Sequence, residues 1–167
     1  MQKNKSKRTA AGNLFAIIGT IVILIPILTA LTLLMPRLIG YSEYSIVSGS
    51  MEPDYPVGSL VFVKETSPES IKRGDVITYE KADTAVTHRV VANNSSKRQL
   101  ITKGDANKIN DPYPISYEQI KGIVIECIPK AGAYIEYAKS TKGMVMLIIL
   151  VAAGFGMIIA STYMKKQ

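Results

Sequence analysis

Two long apolar stretches flank a region of short strand-like runs separated by polar turn residues. The first, Leu14 to Met35, contains 22 uncharged residues, roughly 33 Å as a helix. The second, Gly143 to Tyr163, is also uncharged. Each is long enough to cross the hydrocarbon core of a bilayer, which is roughly 30 Å thick. The pattern predicts a basic tail over 1–12, a transmembrane helix over 13–35, a folded domain over 36–142, a second transmembrane helix over 143–163 and a tail over 164–167.

The first apolar stretch is longer than that of a cleaved leader, whose apolar core has roughly 7–15 residues before a small-x-small site. It ends instead in Met35-Pro36-Arg37, which favours an uncleaved anchor. Basic residues before it predict an inside amino terminus. Both tails would then be cytoplasmic and the domain would lie outside, although Lys139 and Lys142 leave the orientation of the second span open.

The region between the spans predicts a mainly β domain. Its short runs of β-branched residues are separated by clusters of Gly, Pro, Asp and Asn, as is typical of strands and turns. One short helical turn is predicted at Ser67 to Lys72. The predicted strands are Ser59 to Val63, Val76 to Tyr79, Val86 to Val91, Leu100 to Thr102 and Ile120 to Ile128.

The net charge of +7 does not indicate nucleic-acid binding, because the surplus flanks the apolar stretches. The stretch 38–142 contains all 13 acidic residues and 13 of the 20 basic ones. Cys127 is the only cysteine, so no internal disulfide forms, and strand alternation predicts a buried thiol on the face of Ile123 and Ile125. Without Cys/His groups at metal-ligand spacing, neither a metal nor another cofactor is predicted.

Candidate chemistry centres on the single histidine, His88, with Ser50 upstream and two aspartates, Asp105 and Asp111, downstream. A serine becomes a nucleophile when a neighbouring base takes its proton, and an aspartate commonly orients that base. Each residue alone also has an ordinary interpretation, as a half-buried histidine or as polar turn residues. The pattern G-x-S-x-G of α/β-hydrolases is absent because Glu52 follows Met51.

Several short motifs follow one another along the chain: V-S-G-S-M-E-P, R-G-D-V-I, T-H-R-V, and T-K-G-D-A-N with a later aspartate. Together, over roughly residues 15 to 125, they resemble the type I signal peptidases. The resemblance is to the endoplasmic-reticulum, archaeal and sporulating Gram-positive branch, which carries histidine where other bacterial signal peptidases carry a lysine base. The implied fold is a signal-peptidase-like, mainly β extracytoplasmic domain with two flanking transmembrane α-helices.

The resemblance also implies roles for individual residues. A histidine base is largely neutral at neutral pH, since an unperturbed imidazole has a pKa of about 6.5, whereas a lysine base would need a strong downward shift. Ala106 departs from the family pattern, in which asparagine is common at this position. The implied roles are Ser50 as nucleophile, His88 as general base, Asp111 as the better match for the third member, Asp105 as support for the same site, and Ser48 with the Ser50 N–H as oxyanion donors.

The implied activity is that of a serine endopeptidase that removes signal peptides from exported preproteins. Its partners would be those preproteins and the lipid bilayer, with the secretion translocon as a further candidate. Its location would be the plasma membrane, as a multi-pass protein with the catalytic domain outside, or the endoplasmic reticulum membrane with the domain in the lumen. Two alternatives stay open: a non-catalytic membrane-anchored β module with an assembly or chaperone role, and a Ser–Lys enzyme that uses Lys64 or Lys103.

Overall fold

The computed structural model describes residues 2–166, which divide into two compact units. One is a β unit over Met35–Glu136. The other is a helical unit that contains the chain up to Leu34 and the chain from Tyr137 onward.

The helical unit is built from two long helices. Helix α1 spans Gln2–Leu38, a short helix α2 spans Ala131–Lys139, and helix α3 spans Thr141–Lys166. The segments Thr9–Leu38 and Thr141–Lys166 are long and apolar enough to cross a membrane, and only 17% and 11% of their most apolar windows are buried. The core helix of a soluble protein would be mostly buried, so this exposure fits contact with lipid better.

Helices α1 and α3 approach each other closely at two glycines. A Cβ atom added to Gly19 would lie 2.8 Å from the Gly154 carbonyl oxygen, and one added to Gly154 would lie 2.8 Å from the Gly19 oxygen. Neither position therefore has room for a side chain unless a backbone moves. Small residues at such crossings are typical of helices that pack within a bilayer, where close backbone contact replaces the hydrophobic effect.

The β unit contains a single seven-stranded antiparallel sheet. Its spatial order is β1-β2-β7-β3-β4-β5-β6, so the last strand lies between β2 and β3. The strands are β1 Tyr41–Ser45, β2 Leu60–Lys64, β3 Val76–Lys81, β4 Thr84–Asn94, β5 Gln99–Lys103, β6 Ile115–Ser116 and β7 Ile120–Ile128.

The structure contains all five predicted strands but differs from the prediction elsewhere. Helix α1 begins well before residue 13, so the predicted tail over 1–12 is helical where it is described. The helical turn near Ser67 is a 3₁₀ turn over Pro68–Ser70. Strands β1 and β6 and helix α2 were not predicted; three of the five residues of β1 are serine or glutamate, and β6 has only two residues.

The core of the β unit has two apolar clusters. The larger one contains Ile77, Tyr79, Val90 and Leu100, and the smaller one lies around Val61 and Val63. The prediction for Cys127 was wrong: the thiol is half-buried beside the smaller cluster, and Ile125 is 46% exposed. The cause is a register shift between β2 and β7, in which Phe62 pairs with Glu126 and Val63 with Val124, so that Ile125 has no cross-strand partner and strict alternation breaks.

Candidate active site

Ser50 lies in a 3₁₀ turn, Gly49–Met51, between β1 and β2. The next side chain, Met51, is only 1% exposed, and its carbonyl accepts a 3.0 Å hydrogen bond from the Tyr55 N–H. Burial of an unbranched apolar side chain at this position anchors the turn. The neighbouring serine is thereby held in a half-buried position.

His88 lies on β4 directly opposite Ile77 of β3, and it is 8% exposed. Its Nε2 lies 3.2 Å from Ser50 Oγ, and its Nδ1 lies 2.6 Å from Asp111 Oδ2. The structure therefore brings these three residues together in one hydrogen-bonded chain. They come from the turn after β1, from a central strand and from the loop after β5.

Asp111 is held by β5 at two points. Its backbone N–H donates to the Thr102 carbonyl over 2.8 Å, and the Thr102 hydroxyl donates to Asp111 Oδ2 over 2.6 Å. Burial alone would raise the pKa of Asp111, but the hydrogen bonds from Thr102 and His88 outweigh it and lower that pKa below its ordinary value. An ionised carboxylate only accepts, so His88 Nδ1 donates to it, and Nε2 is left as the acceptor for the serine proton.

Tyr79 packs against His88, the central residue of these hydrogen bonds. The ring is 1% exposed and meets the His88 imidazole edge to face, with centroids 6.3 Å apart. Desolvation by burial raises the pKa of Tyr79 to about 12, against a smaller opposing effect of the Thr102 hydroxyl. The phenol is therefore neutral under ordinary conditions and adds no charge beside the carboxylate.

A tight loop after β5 fixes the backbone of Ser50. The Ala106 N–H donates to the Ser50 carbonyl over 2.9 Å. A Cβ atom at Gly104 would lie only 2.6 Å from that same oxygen, so the approach requires glycine. Asp105, between these two residues, binds Arg89 through two hydrogen bonds of 2.8 and 2.6 Å and does not bond to His88. Its carboxylate therefore joins the loop to Arg89 and not to the imidazole.

The remaining predicted polar residues lie at different distances from the centre. Ser48 Oγ is 3.3 Å from Ser50 Oγ, which places both predicted oxyanion residues side by side. Lys64 ends β2, and Lys103 pairs with Arg89 at the end of β5. Among residues 2–166, the base that the structure places within hydrogen-bonding distance of the Ser50 hydroxyl is His88.

A cleft of about 250 Å³ opens beside Ser50. One wall is the chain that follows β1, and the other is the first half of β4. In the described part of the chain, β4 pairs with β5 only from Arg89 onward, so the backbone of residues 84–88 has a ladder partner on the β3 side alone. The lining residues are Ser45, Ile46, Val47, Ser48, Ser50, Met51, Thr84, Ala85, Val86 and Thr87.

Three functional partners were missed by sequence reasoning: Tyr79, Arg89 and Thr102. Thr102 carried a usable signal, because it lies two residues after Leu100 and therefore on the same face of the strand. Both residues are 0% exposed. A polar side chain on the buried face of a strand needs a hydrogen-bond partner. Arg89 follows the histidine and so points to the other face of β4, where the pairing with Asp105 was not predictable from spacing.

Comparison with known proteins gives consistent matches. A family model described as signal peptidase, peptidase S26, matches residues 16–106. Signal peptidase I W of Bacillus subtilis (strain 168) is 40% identical over 115 residues, covering 65% of this chain and 60% of that protein. The signal peptidase complex catalytic subunit SEC11 of Scheffersomyces stipitis is 39% identical over 99 residues, covering 52% and 59%. The chain therefore spans about three fifths of the length of these two relatives.

Proposed function

Because the chain belongs to the signal peptidase family, peptidase S26, we propose that it is a membrane-bound serine endopeptidase that removes signal peptides from exported preproteins. The observation that carries the proposal is the chain of hydrogen bonds from Ser50 through His88 to Asp111, at the edge of an open cleft. This arrangement has the order of roles that serine hydrolases of unrelated folds share.

The proposed reaction begins with transfer of the Ser50 proton to His88 Nε2 as Oγ attacks the scissile carbonyl carbon. The ionised Asp111 stabilises the resulting imidazolium through Nδ1–H. The oxyanion accepts from the Ser50 backbone N–H and from the Ser48 hydroxyl. His88 then gives its proton to the amine of the mature protein, which leaves, and the acyl-enzyme retains the signal peptide. A water molecule deprotonated by His88 hydrolyses the ester and restores the Ser50 hydroxyl.

The cleft suggests how the substrate lies. An extended peptide beside residues 84–88 would hydrogen-bond to the side of β4 that β5 leaves unpaired, as in strand-addition complexes. Alternate side chains would then point into the cleft, whose volume of about 250 Å³ and lining by Ile46, Ala85 and Val86 leave room for small side chains. Such a site fits a small-x-small junction, in which two alternate residues are small.

The two apolar helices are proposed to anchor this chemistry at a membrane. Their exposed apolar surface fits lipid contact, and the basic residues at the amino terminus favour a cytoplasmic location for it. The β unit would then lie outside, where a signal peptide emerges. Only 15 residues separate Met35 from Ser50, which is at most roughly 50 Å even when fully extended, so the nucleophile stays near the membrane surface.

The test is cleavage of a preprotein by the full chain in detergent or vesicles, with the cut site mapped. Ser50→Ala and His88→Ala should each abolish the cut while membrane insertion is retained. Normal processing by His88→Ala would disprove the assigned base, and the comparison with Lys103→Ala would then decide for or against a lysine.

A serine-acylating probe separates an enzyme from a non-catalytic β module. We expect the probe to label the wild-type chain at Ser50, and we expect the label to disappear in Ser50→Ala. Ser70→Ala is a matched control, since its hydroxyl donates to the Ser67 carbonyl and Ser70 does not line the cleft. Equal labelling of the wild type and Ser50→Ala, or none at all, would favour the module.

A further inference from the structure

A buried threonine hydroxyl contacts the carboxylate that orients the histidine. Thr102 is 0% exposed, and its Oγ1 donates to Asp111 Oδ2 over 2.6 Å. The same oxygen is the one that faces His88 Nδ1 at 2.6 Å. A single carboxylate oxygen therefore accepts from the threonine and from the histidine at once.

This contact is half of a two-point attachment. The other half is the 2.8 Å bond from the Asp111 N–H to the Thr102 carbonyl. The backbone bond fixes the position of the loop residue against β5. The hydroxyl bond then restricts rotation of its side chain, which the backbone bond alone leaves free. Together they determine both where the carboxylate lies and how it is turned.

We propose that Thr102 is a positioning residue for catalysis: its hydroxyl holds the Asp111 carboxylate in the orientation that keeps the His88 ring directed at Ser50. This inference deepens the proposed peptidase function and depends on it. Thr102 acts through Asp111 and does not touch the substrate or the reacting atoms.

The groups around Asp111 can be compared with Thr102 as restraints on its carboxylate. Tyr79 packs against the imidazole from β3, and its neutral phenol also hydrogen-bonds with Thr102 and Asp111. Lys81 on the same strand favours the charged form of the carboxylate. Arg89 is held on the opposite face of β4 by Asp105. Thr102 makes a 2.6 Å hydrogen bond to the same carboxylate oxygen that faces the histidine, so its hydroxyl acts directly on the orientation of that oxygen.

The first experiment measures kcat and KM for preprotein cleavage by the full chain. Thr102→Val keeps the shape of the side chain but removes the hydroxyl, and kcat should fall by about tenfold or more, as expected for loss of a hydrogen bond to a charged group, with KM unchanged. Thr102→Ser retains a hydroxyl and should restore most of kcat. Thr78→Val is the matched control, because Thr78 is also 0% exposed and its hydroxyl bonds to that of Thr87 over 2.9 Å. The kcat of this variant should stay at the wild-type value.

The second experiment distinguishes positioning from a structural role. In an Asp111→Asn background Thr102→Val should cause no further loss of kcat, since a residue that acts through the carboxylate has nothing left to position. The rate of Ser50 acylation by the probe should show the same non-additivity. Multiplicative losses in the two variants, or a folded Thr102→Val protein with wild-type kcat, would overturn the inference while leaving the peptidase function intact. A wild-type chain that neither cleaves nor is labelled would overturn both.

Discussion

Substitution of Gly104 by alanine tests how closely the loop after β5 controls the nucleophile. A methyl group at this position would lie 2.6 Å from the Ser50 carbonyl oxygen, whereas ordinary van der Waals contact begins at 3.4 Å. The oxygen belongs to the backbone and cannot swing away as the end of a flexible side chain would. We therefore expect the Ser50 turn to retreat by about 0.8 Å, the difference between these distances.

The displacement acts on two contacts at once. It lengthens the 2.9 Å bond from the Ala106 N–H to the Ser50 carbonyl, and it moves Oγ relative to His88 Nε2, now 3.2 Å away. A misplacement of about 1 Å at a reacting centre costs on the order of a hundredfold in rate, or about 2.7 kcal/mol of transition-state stabilisation. Gly104→Ala should therefore reduce kcat/KM by about a hundredfold.

The assay is kcat/KM for cleavage of a preprotein by the full chain in vesicles, together with the probe-labelling rate of Ser50. Gly156→Ala is the matched control, because nothing lies within 4 Å of the added Cβ, and its activity should equal that of the wild type. The melting temperature of each variant establishes that it is folded. A folded Gly104→Ala protein with nearly wild-type kcat/KM would refute the argument that loop contact positions the serine.

The other predictions concern the charged and phenolic groups around the site. Arg89→Gln removes the two bonds to Asp105 and should lower kcat about tenfold. Arg98→Gln removes exposed ion pairs and a contact with the Tyr117 ring, away from Asp105, and should not lower kcat. Equal rates of the two variants would disprove the role of the Arg89–Asp105 pair. The tyrosinate absorbance of the wild type should include one group that titrates at about 12 and is missing in Tyr79→Phe. Because the pKa of this acid is raised, its contribution to stability is complete below about pH 10 and is lost as the pH rises towards 12. The lowered pKa of Asp111 has the opposite sign: its stabilisation is complete above the unfolded pKa near 3.8 and is lost as the pH falls through the folded pKa, so the free energy of unfolding of Asp111→Asn should vary less with acidification.

Much of the fold follows from local pattern. The short apolar and β-branched runs around Leu60, Val76 and Leu100 form strands of the sheet. Their neighbours in space do not follow from pattern, because β7 enters between β2 and β3 and this insertion depends on contacts far apart in the chain. The extra residue at Ile125 was not predictable for the same reason, since a bulge arises from the pairing of two strands and not from one sequence run.

The site shows a similar division. The resemblance pointed to Ser50, His88 and Asp111, and the structure places them within hydrogen-bonding distance of one another. The roles of Arg89 and Thr102 depend on which face of a strand meets which loop, and that geometry is set by the register of β4 with β5. The resemblance therefore pointed to the three residues of this hydrogen-bonded chain but not to Arg89 and Thr102, which contact the aspartates.

Substrate binding along the unpaired side of residues 84–88 would limit when a preprotein can be cut. Main-chain hydrogen bonds are nearly independent of side-chain identity. Binding would therefore depend mostly on an extended substrate backbone, and on side-chain identity only at the two positions that must be small. A stretch that has already become helix or sheet has its own peptide groups occupied and cannot enter. Cleavage would therefore compete with folding of the preprotein. The junction would be cut while it is still unfolded, and a preprotein that has folded as far as its signal peptide would no longer be cut.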